Sequence, residues 1–277
     1  MTYADLNLAM WQYTATVLDP ARVLKKLSGE PPQWCGLPPS AIPRPGLGPR
    51  FSLRPELSAA PLRNEDGAGD GVSGFEPLPG VYAEYAHPMA NAIFSEAFAI
   101  MAPFIAADAR VLDAGCGPGT EALRVARHAS RGEVVGVDLA AGMVIEARRA
   151  ARASGLNNLT FIQADVANLP HAFDAGFDVV YSCLAHHHYG DPLAAARSIR
   201  RCLRAGGISF VVDAGPAWYI ELSTPLARAA DPGWVGFTTP DEFRALMARA
   251  GFERSAWVDV LPGYGIAAAQ KDRGVRG

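Results

Sequence analysis

The residues best placed to do chemistry are a set of carboxylates and glycines in the middle of the chain. The run Val111-Leu112-Asp113-Ala114-Gly115-Cys116-Gly117-Pro118-Gly119-Thr120 is apolar, ends in an acid and then turns through alternating glycines. This pattern predicts a buried parallel strand leading through a tight turn into a helix. An α/β sheet builds a nucleotide-sized cradle at its carboxyl edge in that way. The spacing is Gly-x-Gly-x-Gly, with Thr120 where a dinucleotide fingerprint has its last glycine, so a pyrophosphate ligand matches poorly. A carboxylate directly before the turn, Asp113, would repel phosphate and attract a cationic amine. That points to an amino-acid-like ligand.

The next strands extend the site. Glu133-Val134-Val135-Gly136-Val137-Asp138 is a second β-branched run ending in an acid. It ends about twenty residues beyond the glycines, where a nucleoside site carries the carboxylate that accepts from both ribose hydroxyls. Leu159-Thr160-Phe161-Ile162-Gln163-Ala164 leads to Asp165-Val166. There a carboxylate can take the exocyclic amine of adenine while Leu139 and Val166 flank the ring. One acid after a strand is ordinarily a helix cap or a solvated loop residue; a series of them joined to the glycine turn points to a bound nucleoside.

The most loaded loop follows the fourth strand: Cys183-Leu184-Ala185-His186-His187-His188-Tyr189. Consecutive histidines rarely converge on one ion, and no cysteine or acid nearby completes a ligand spacing, so no metal is expected. An imidazole titrates near neutrality and can take a phenol, amine or carbon-acid proton. His187 and His186 are therefore the candidate bases, ahead of His188, and a loop-orienting role is the alternative. Trp218, Tyr219, Trp234 and Phe237 offer flat apolar surface for an aromatic acceptor, although such clusters also build cores.

Residues 110 to 213 resemble the core of the class I S-adenosylmethionine-dependent methyltransferases, with Asp113 to Gly119 as the glycine motif, Gly136-Val137-Asp138-Leu139 as the ribose motif and Ala164-Asp165-Val166 as the adenine motif. Phe177 to Ser182 is similar to the family's fourth strand, and Leu203-Arg204-Ala205-Gly206-Gly207 to the loop before its fifth. Thr238 to Phe243 and Ala250-Gly251-Phe252 are similar to its last helix and exit. Leu261 to Lys271 is similar to the final strand of quinone-biosynthesis C-methyltransferases.

The resemblance implies S-adenosylmethionine as cofactor and S-adenosylhomocysteine as product. Gly115 and Gly117 would pass close to the methionine part, Gly119 would belong to the cofactor set, and Asp113 would order the turn or receive the ammonium through water. Asp138 would hold the ribose, Leu139, Asp165 and Val166 the adenine, and Ser182 would join the cofactor set. Family members often start the helix after the ribose acid with Ser-Pro; here Ala140-Ala141-Gly142-Met143 stands there, so a side-chain cap is missing, at a cost of about 1 kcal/mol. The segment before the first strand lies beside the methyl donor in many relatives. That makes Tyr85 a catalytic candidate and Tyr82 a substrate-binding one, with Trp218, Tyr219 and Trp234. Carbon, oxygen and nitrogen acceptors stay open. So do a sulfonium-assisted cyclisation, decarboxylation or rearrangement, and a non-catalytic cofactor-binding protein.

The chain has 277 residues, 49% hydrophobic and 19% charged, enough for one α/β core with an appendage. A net charge of −3 gives no footprint for a polyanion, so a small-molecule acceptor is expected and nucleic acid is not. The four cysteines show no CxxC pairing, which suits a reducing compartment. With no leader and no apolar run long enough to span a bilayer, the expected location is the cytoplasm, as a monomer or homodimer.

Residues 1 to 80 are expected to form an extension and 81 to 277 the cofactor-binding domain. In the extension, Leu6, Met10, Tyr13 and Val17 recur at helical spacing, and Asp19-Pro20 opens a second short helix. Eight of the 22 prolines lie between Pro31 and Pro55, so that part is expected to be extended and irregular. It is a candidate lid bringing Trp11, Tyr13 or Trp34 to the substrate, or else packing or a dimer arm. Beyond residue 110 the alternation predicts strands at 110–114, 133–138, 159–164, 177–183 and 207–213. Helices are predicted at 120–130, 141–153, 191–204 and 239–250, with closing strands near 252–260 and 263–270. This is a doubly wound, mostly parallel, Rossmann-like seven-stranded sheet.

Overall fold

The computed structural model describes residues 87–215, 236, 238–261 and 264–272. The whole N-terminal extension, Tyr82, Tyr85, Trp218, Tyr219, Trp234 and Phe237 lie outside the described residues.

Helix α1 (His87–Met101) leads through a 3-10 turn into strand β1 (Arg110–Ala114). Then follow α2 (Thr120–His128), β2 (Glu133–Asp138), α3 (Ala141–Ser154), β3 (Leu159–Gln163), β4 (Phe177–Cys183), α4 (Pro192–Cys202) and β5 (Leu203–Ala214). Helix α5 (Pro240–Arg249) and strands β6 (Arg254–Leu261) and β7 (Tyr264–Gln270) close the chain. The sheet has seven strands in the order β3-β2-β1-β4-β5-β7-β6. The first five run parallel, and β7 lies antiparallel between β5 and β6. The order reverses between β1 and β4, and at such a switch point an open sheet leaves a crevice beyond its carboxyl ends.

Local chemistry explains the element ends. β1 is buried at every position because helices cover both faces of a central parallel strand; its two charged residues, Arg110 and Asp113, are hydrogen-bonded there. Helix α4 starts at Asp191, whose carboxylate accepts from the Ala194 amide, with Pro192 in the first turn; α5 starts with a capping box between Thr239 and Glu242. Both devices satisfy amides that a helix start leaves open. Ala140 gives α3 no side-chain cap, as the sequence predicts.

The apolar residues form two cores, one on each face of the sheet. The first gathers α1, α2 and α3 around Phe94, Met101, Phe161, Tyr181 and Phe210. The second gathers α4 and α5 around Phe173, Ile199, Phe243 and Trp257. At the amino edge, Asp178 accepts from the Arg110 amide at 2.6 Å and pairs with Arg204 at 2.5 Å, while Arg110 reaches Glu133 at 3.0 Å. These charges are largely buried and mutually paired, which a low-dielectric position requires.

One boundary differs from the sequence reading. Leu203-Arg204-Ala205-Gly206-Gly207, expected as a loop before a strand at 207–213, belongs to β5, which begins at Leu203. Leu203 pairs with Phe177, and the register then shifts before Val179 pairs with Ile208. The Gly206 φ of +76° lets the strand absorb the irregularity instead of ending there.

Candidate cofactor and acceptor site

Beyond Ala114 the chain turns through Gly115, Gly117 and Gly119, all at positive φ (+82°, +50° and +84°), a region that side chains disfavour. The amides of Gly115 and Cys116 both donate to the Val137 carbonyl, at 2.9 and 2.8 Å, and so fasten the turn to the end of β2. The three glycines have different surroundings. A Cβ at Gly115 would stand 2.5 Å from the Ala185 Cβ, and one at Gly119 would stand 2.6 Å from the Phe161 ring. A Cβ at Gly117 would meet nothing within 4 Å among the described residues. Gly115 and Gly119 therefore admit neighbouring protein, whereas the bare face of Gly117 looks onto open space.

Asp138 braces this opening. Its Oδ2 accepts from the Gly117 amide at 2.8 Å and its Oδ1 from the Ala140 amide at 2.9 Å. One carboxylate thus sets the glycine turn and supports the uncapped start of α3. Each carboxylate oxygen has a second lone pair, which suits it to accept from hydroxyls as well. Leu139 beside it is 36% exposed, an apolar surface at the mouth of the site. Asp165 is exposed, and its Oδ1 accepts from the Ala167 amide at 2.8 Å. Val166 is buried in the second core and lies beneath that turn. Gly117, Asp138, Leu139 and Asp165 thus stand at or just beyond the carboxyl ends of β1, β2 and β3. An open cradle, an acid at a ribose position and an apolar surface fit an adenosyl amino acid.

Two expected cofactor residues point elsewhere. Asp113 is 1% exposed and accepts the Tyr181 phenol at 2.6 Å. Burial pushes its carboxyl well above the usual range, the charges of Glu121 and Asp138 add to this, and the Tyr181 hydrogen bond opposes it. The hydrogen bond joins β1 to β4, where Asp113 stands opposite Tyr181. Ser182 is also 1% exposed, and its Oγ lies 2.9 Å from the Tyr189 hydroxyl. It sits beneath the site, not in its wall, because residues of a buried strand face one core or the other.

The histidines diverge. A 3-10 turn spans His186–His188, and among the described residues no group of three or more His, Cys, Asp or Glu is arranged to hold a metal ion. His186 is 6% exposed, its ring packs against Tyr189 and Phe243, and its Nε2 has no hydrogen-bond partner among the described residues. It is turned into the second core, so it is poorly placed to serve as a base. His187 is different. Its Nδ1 lies 2.7 Å from Asp213 Oδ1, and its backbone amide donates to Asp213 Oδ2 at 3.1 Å. A carboxylate only accepts, so in the neutral ring the proton sits on Nδ1, toward Asp213, and the lone pair on Nε2. Burial raises the Asp213 carboxyl, but the His187 charge and hydrogen bonds, with His186, outweigh it and hold the group below the usual carboxylate range.

Asp213, Tyr181 and Tyr189 were not among the candidates from sequence. Asp213 does carry a legible signal: like Asp138, it ends an apolar strand at the carboxyl edge. Nothing local marks the two tyrosines.

Burial lowers the His186 pKa, His187 adds to this and Asp213 opposes it. The folded value then lies below the unfolded one, so His186 leaves stability unaffected well above pH ~6.5 and costs stability as the pH falls below it. His186→Phe, which suits a pocket lined by rings, should gain on the wild type in urea melts between about pH 7 and pH 5. The gain should be no steeper than about 1.4 kcal/mol per pH unit. A difference independent of pH would contradict this.

Comparisons with known proteins place the chain among methyltransferases. A family model described as a methyltransferase domain matches residues 111–207. The 27-O-demethylrifamycin SV methyltransferase of Amycolatopsis mediterranei is 34% identical over 165 residues, covering 58% of this chain and 59% of that protein. The demethylmenaquinone methyltransferase of Thermus thermophilus is 31% identical over 180 residues, covering 57% of this chain and 80% of that protein. The chain belongs to the class I S-adenosylmethionine-dependent methyltransferases. The methyltransferase also shares its fold with the [4+2]-cyclase SpnF, at a TM-score of 0.53 and 21% identity over 69% of this chain and 82% of that one. That likeness concerns the fold alone. No helix of the methyltransferase's described residues is long and apolar enough to cross a membrane.

Proposed function

We propose that this chain binds S-adenosylmethionine at the glycine turn and promotes methyl transfer to a small apolar or aromatic acceptor, with His187 taking the acceptor's proton. The observation that carries the reading is the shared edge: the open face of Gly117, the Asp138 carboxylate and the His187–Asp213 pair all stand at the carboxyl ends of the parallel strands. When bound, the cofactor supplies a methyl group already activated on a sulfonium, so the protein's share of the chemistry is orientation and proton removal. Asp138 holds the ribose hydroxyls, Leu139 and Val166 flank the adenine, and Asp165 takes its amine. Asp213 fixes the His187 tautomer with the lone pair on Nε2 and stabilises the imidazolium once the proton has moved. Tyr82, Tyr85, Trp218, Tyr219 and Trp234 are proposed to complete the acceptor wall, and the extension at 1 to 80 to close over it. The enzyme would work in the cytoplasm.

The reading is supported by membership of the family and by relatives whose names specify a rifamycin and a demethylmenaquinone as substrates. The test is to incubate the full chain with S-adenosylmethionine and a panel of hydroxylated aromatics and reduced quinones, following products by mass spectrometry. Release of S-adenosylhomocysteine together with a product heavier by one methyl group is expected. A rearranged product with the cofactor intact, or binding of the cofactor without turnover of any acceptor, would overturn the reading in favour of an isomerase or a binding protein.

A further inference from the structure

Tyr189 occupies a position that the proposed chemistry does not use. Its phenol lies 2.9 Å from the Ala114 carbonyl and 2.9 Å from Ser182 Oγ. A carbonyl can only accept, so the tyrosine proton goes to Ala114 and the serine hydroxyl donates to the phenol. Ala114 is the residue immediately before Gly115. Tyr189 ends the histidine loop, where its amide donates to the His186 carbonyl at 3.0 Å and its ring lies 5.3 Å from that of His186. One side chain therefore ties the loop carrying His187 to the last residue of β1, from which the cofactor turn springs, across 75 positions of sequence.

Packing repeats the link. A Cβ at Gly115 would stand 2.5 Å from the Ala185 Cβ and 3.7 Å from the Tyr189 hydroxyl, so the two loops touch only because residue 115 has no side chain. The histidine loop is also entered under strain: Leu184 has φ +52°, a left-handed conformation costly for a residue with a side chain, and one that persists only where the surroundings enforce it. The Leu184 amide is held by the Val212 carbonyl at 2.8 Å. At the other end of the loop the Tyr189 phenol is the corresponding tie.

We propose that Tyr189 is a positioning residue that clamps the histidine loop onto the glycine turn, so that a ligand seated in the turn also settles the loop that presents His187. The inference rests on the cofactor reading above, since it needs a ligand in the turn. Coupling of this kind is a difference between two binding states, not a property of either alone. Tyr189→Phe removes the hydroxyl and keeps the ring against His186.

Hydrogen exchange of the full chain, with and without saturating S-adenosylhomocysteine, tests the clamp. The reporters are the amides of residues 186–189, with those of 134–137 in β2 as a control for the fold. In the wild type the ligand should raise protection of the loop amides at least tenfold. In Tyr189→Phe the ligand should still bind, with the β2 amides unchanged, but the rise should fall below twofold. A phenol that only holds the fold together would lower loop protection equally in both states and leave the ligand-dependent rise intact; that result overturns the proposal. Ser182→Ala keeps the tyrosine and removes only its donor, and should give an intermediate rise. If Tyr189→Phe does not fold, Ser182→Ala decides, and a full rise there overturns the clamp. A wild type that fails to bind S-adenosylhomocysteine overturns the cofactor reading itself, and this shows in the first titration, before any variant is compared.

Discussion

Replacing Asp138 by alanine is expected to weaken S-adenosylhomocysteine binding on the order of 10²- to 10⁴-fold, the loss of two charge-assisted hydrogen bonds at about 1.5–3 kcal/mol each. The position allows no substitute. Asp138 ends β2 at the carboxyl edge, and its two oxygens already fix the Gly117 and Ala140 amides at 2.8 and 2.9 Å. Alanine removes the ribose acceptor and also frees the turn that the ligand must rest on, so both changes act in one direction. Asp138→Asn separates them: its amide oxygen can still accept from one backbone N–H, while its amide nitrogen cannot accept from a hydroxyl. It should melt closer to the wild type than alanine does and still bind the nucleoside poorly. Equilibrium titration of both variants is the check, and wild-type affinity in Asp138→Ala would refute the ribose assignment.

The second large effect falls on turnover. His187→Ala should lower kcat about 10²- to 10⁴-fold, the usual worth of a positioned general base, while leaving S-adenosylhomocysteine affinity within about threefold, since the ring is assigned no cofactor contact. Asp213→Asn should cost about 10- to 10²-fold by releasing the ring from its tautomer, a typical penalty for a residue that orients another. His186→Ala should have a far smaller effect on kcat at neutral pH, because that ring is turned into the core against Tyr189 and Phe243. Equal losses from His186 and His187 would show that the loop is required as a packed unit and that His187 is not a specific base.

Most of the sheet was legible because parallel strands buried on both faces must be short, largely apolar runs. β1, β2 and β4 begin and end where their sequences change character. The start of β5 was not legible, since a Gly-Gly pair reads as a break whereas the strand carries it as a register shift. At the site, Gly117 and Asp138 could be found from spacing alone, because one element and its successor place them. Asp113 looked like a ligand group and is a buried acceptor for Tyr181. The pairing depends on β1 lying beside β4 with Asp113 opposite Tyr181, and nothing in either segment states that register. The His187–Asp213 pair and the Tyr189–Ala114 bond are hidden for the same reason: each joins a loop to a strand end far away in sequence. The three histidines look equivalent as a string, and only the geometry of the turn divides them into one facing the core and one facing an acid.

The account depends most on the cradle formed by the bare face of Gly117 and the Asp138 carboxylate. Isothermal titration of the full-length wild-type chain with S-adenosylhomocysteine tests it most directly. Saturable one-to-one binding that is lost in Asp138→Ala is the predicted result; absence of saturable heat from well-folded protein would contradict the account.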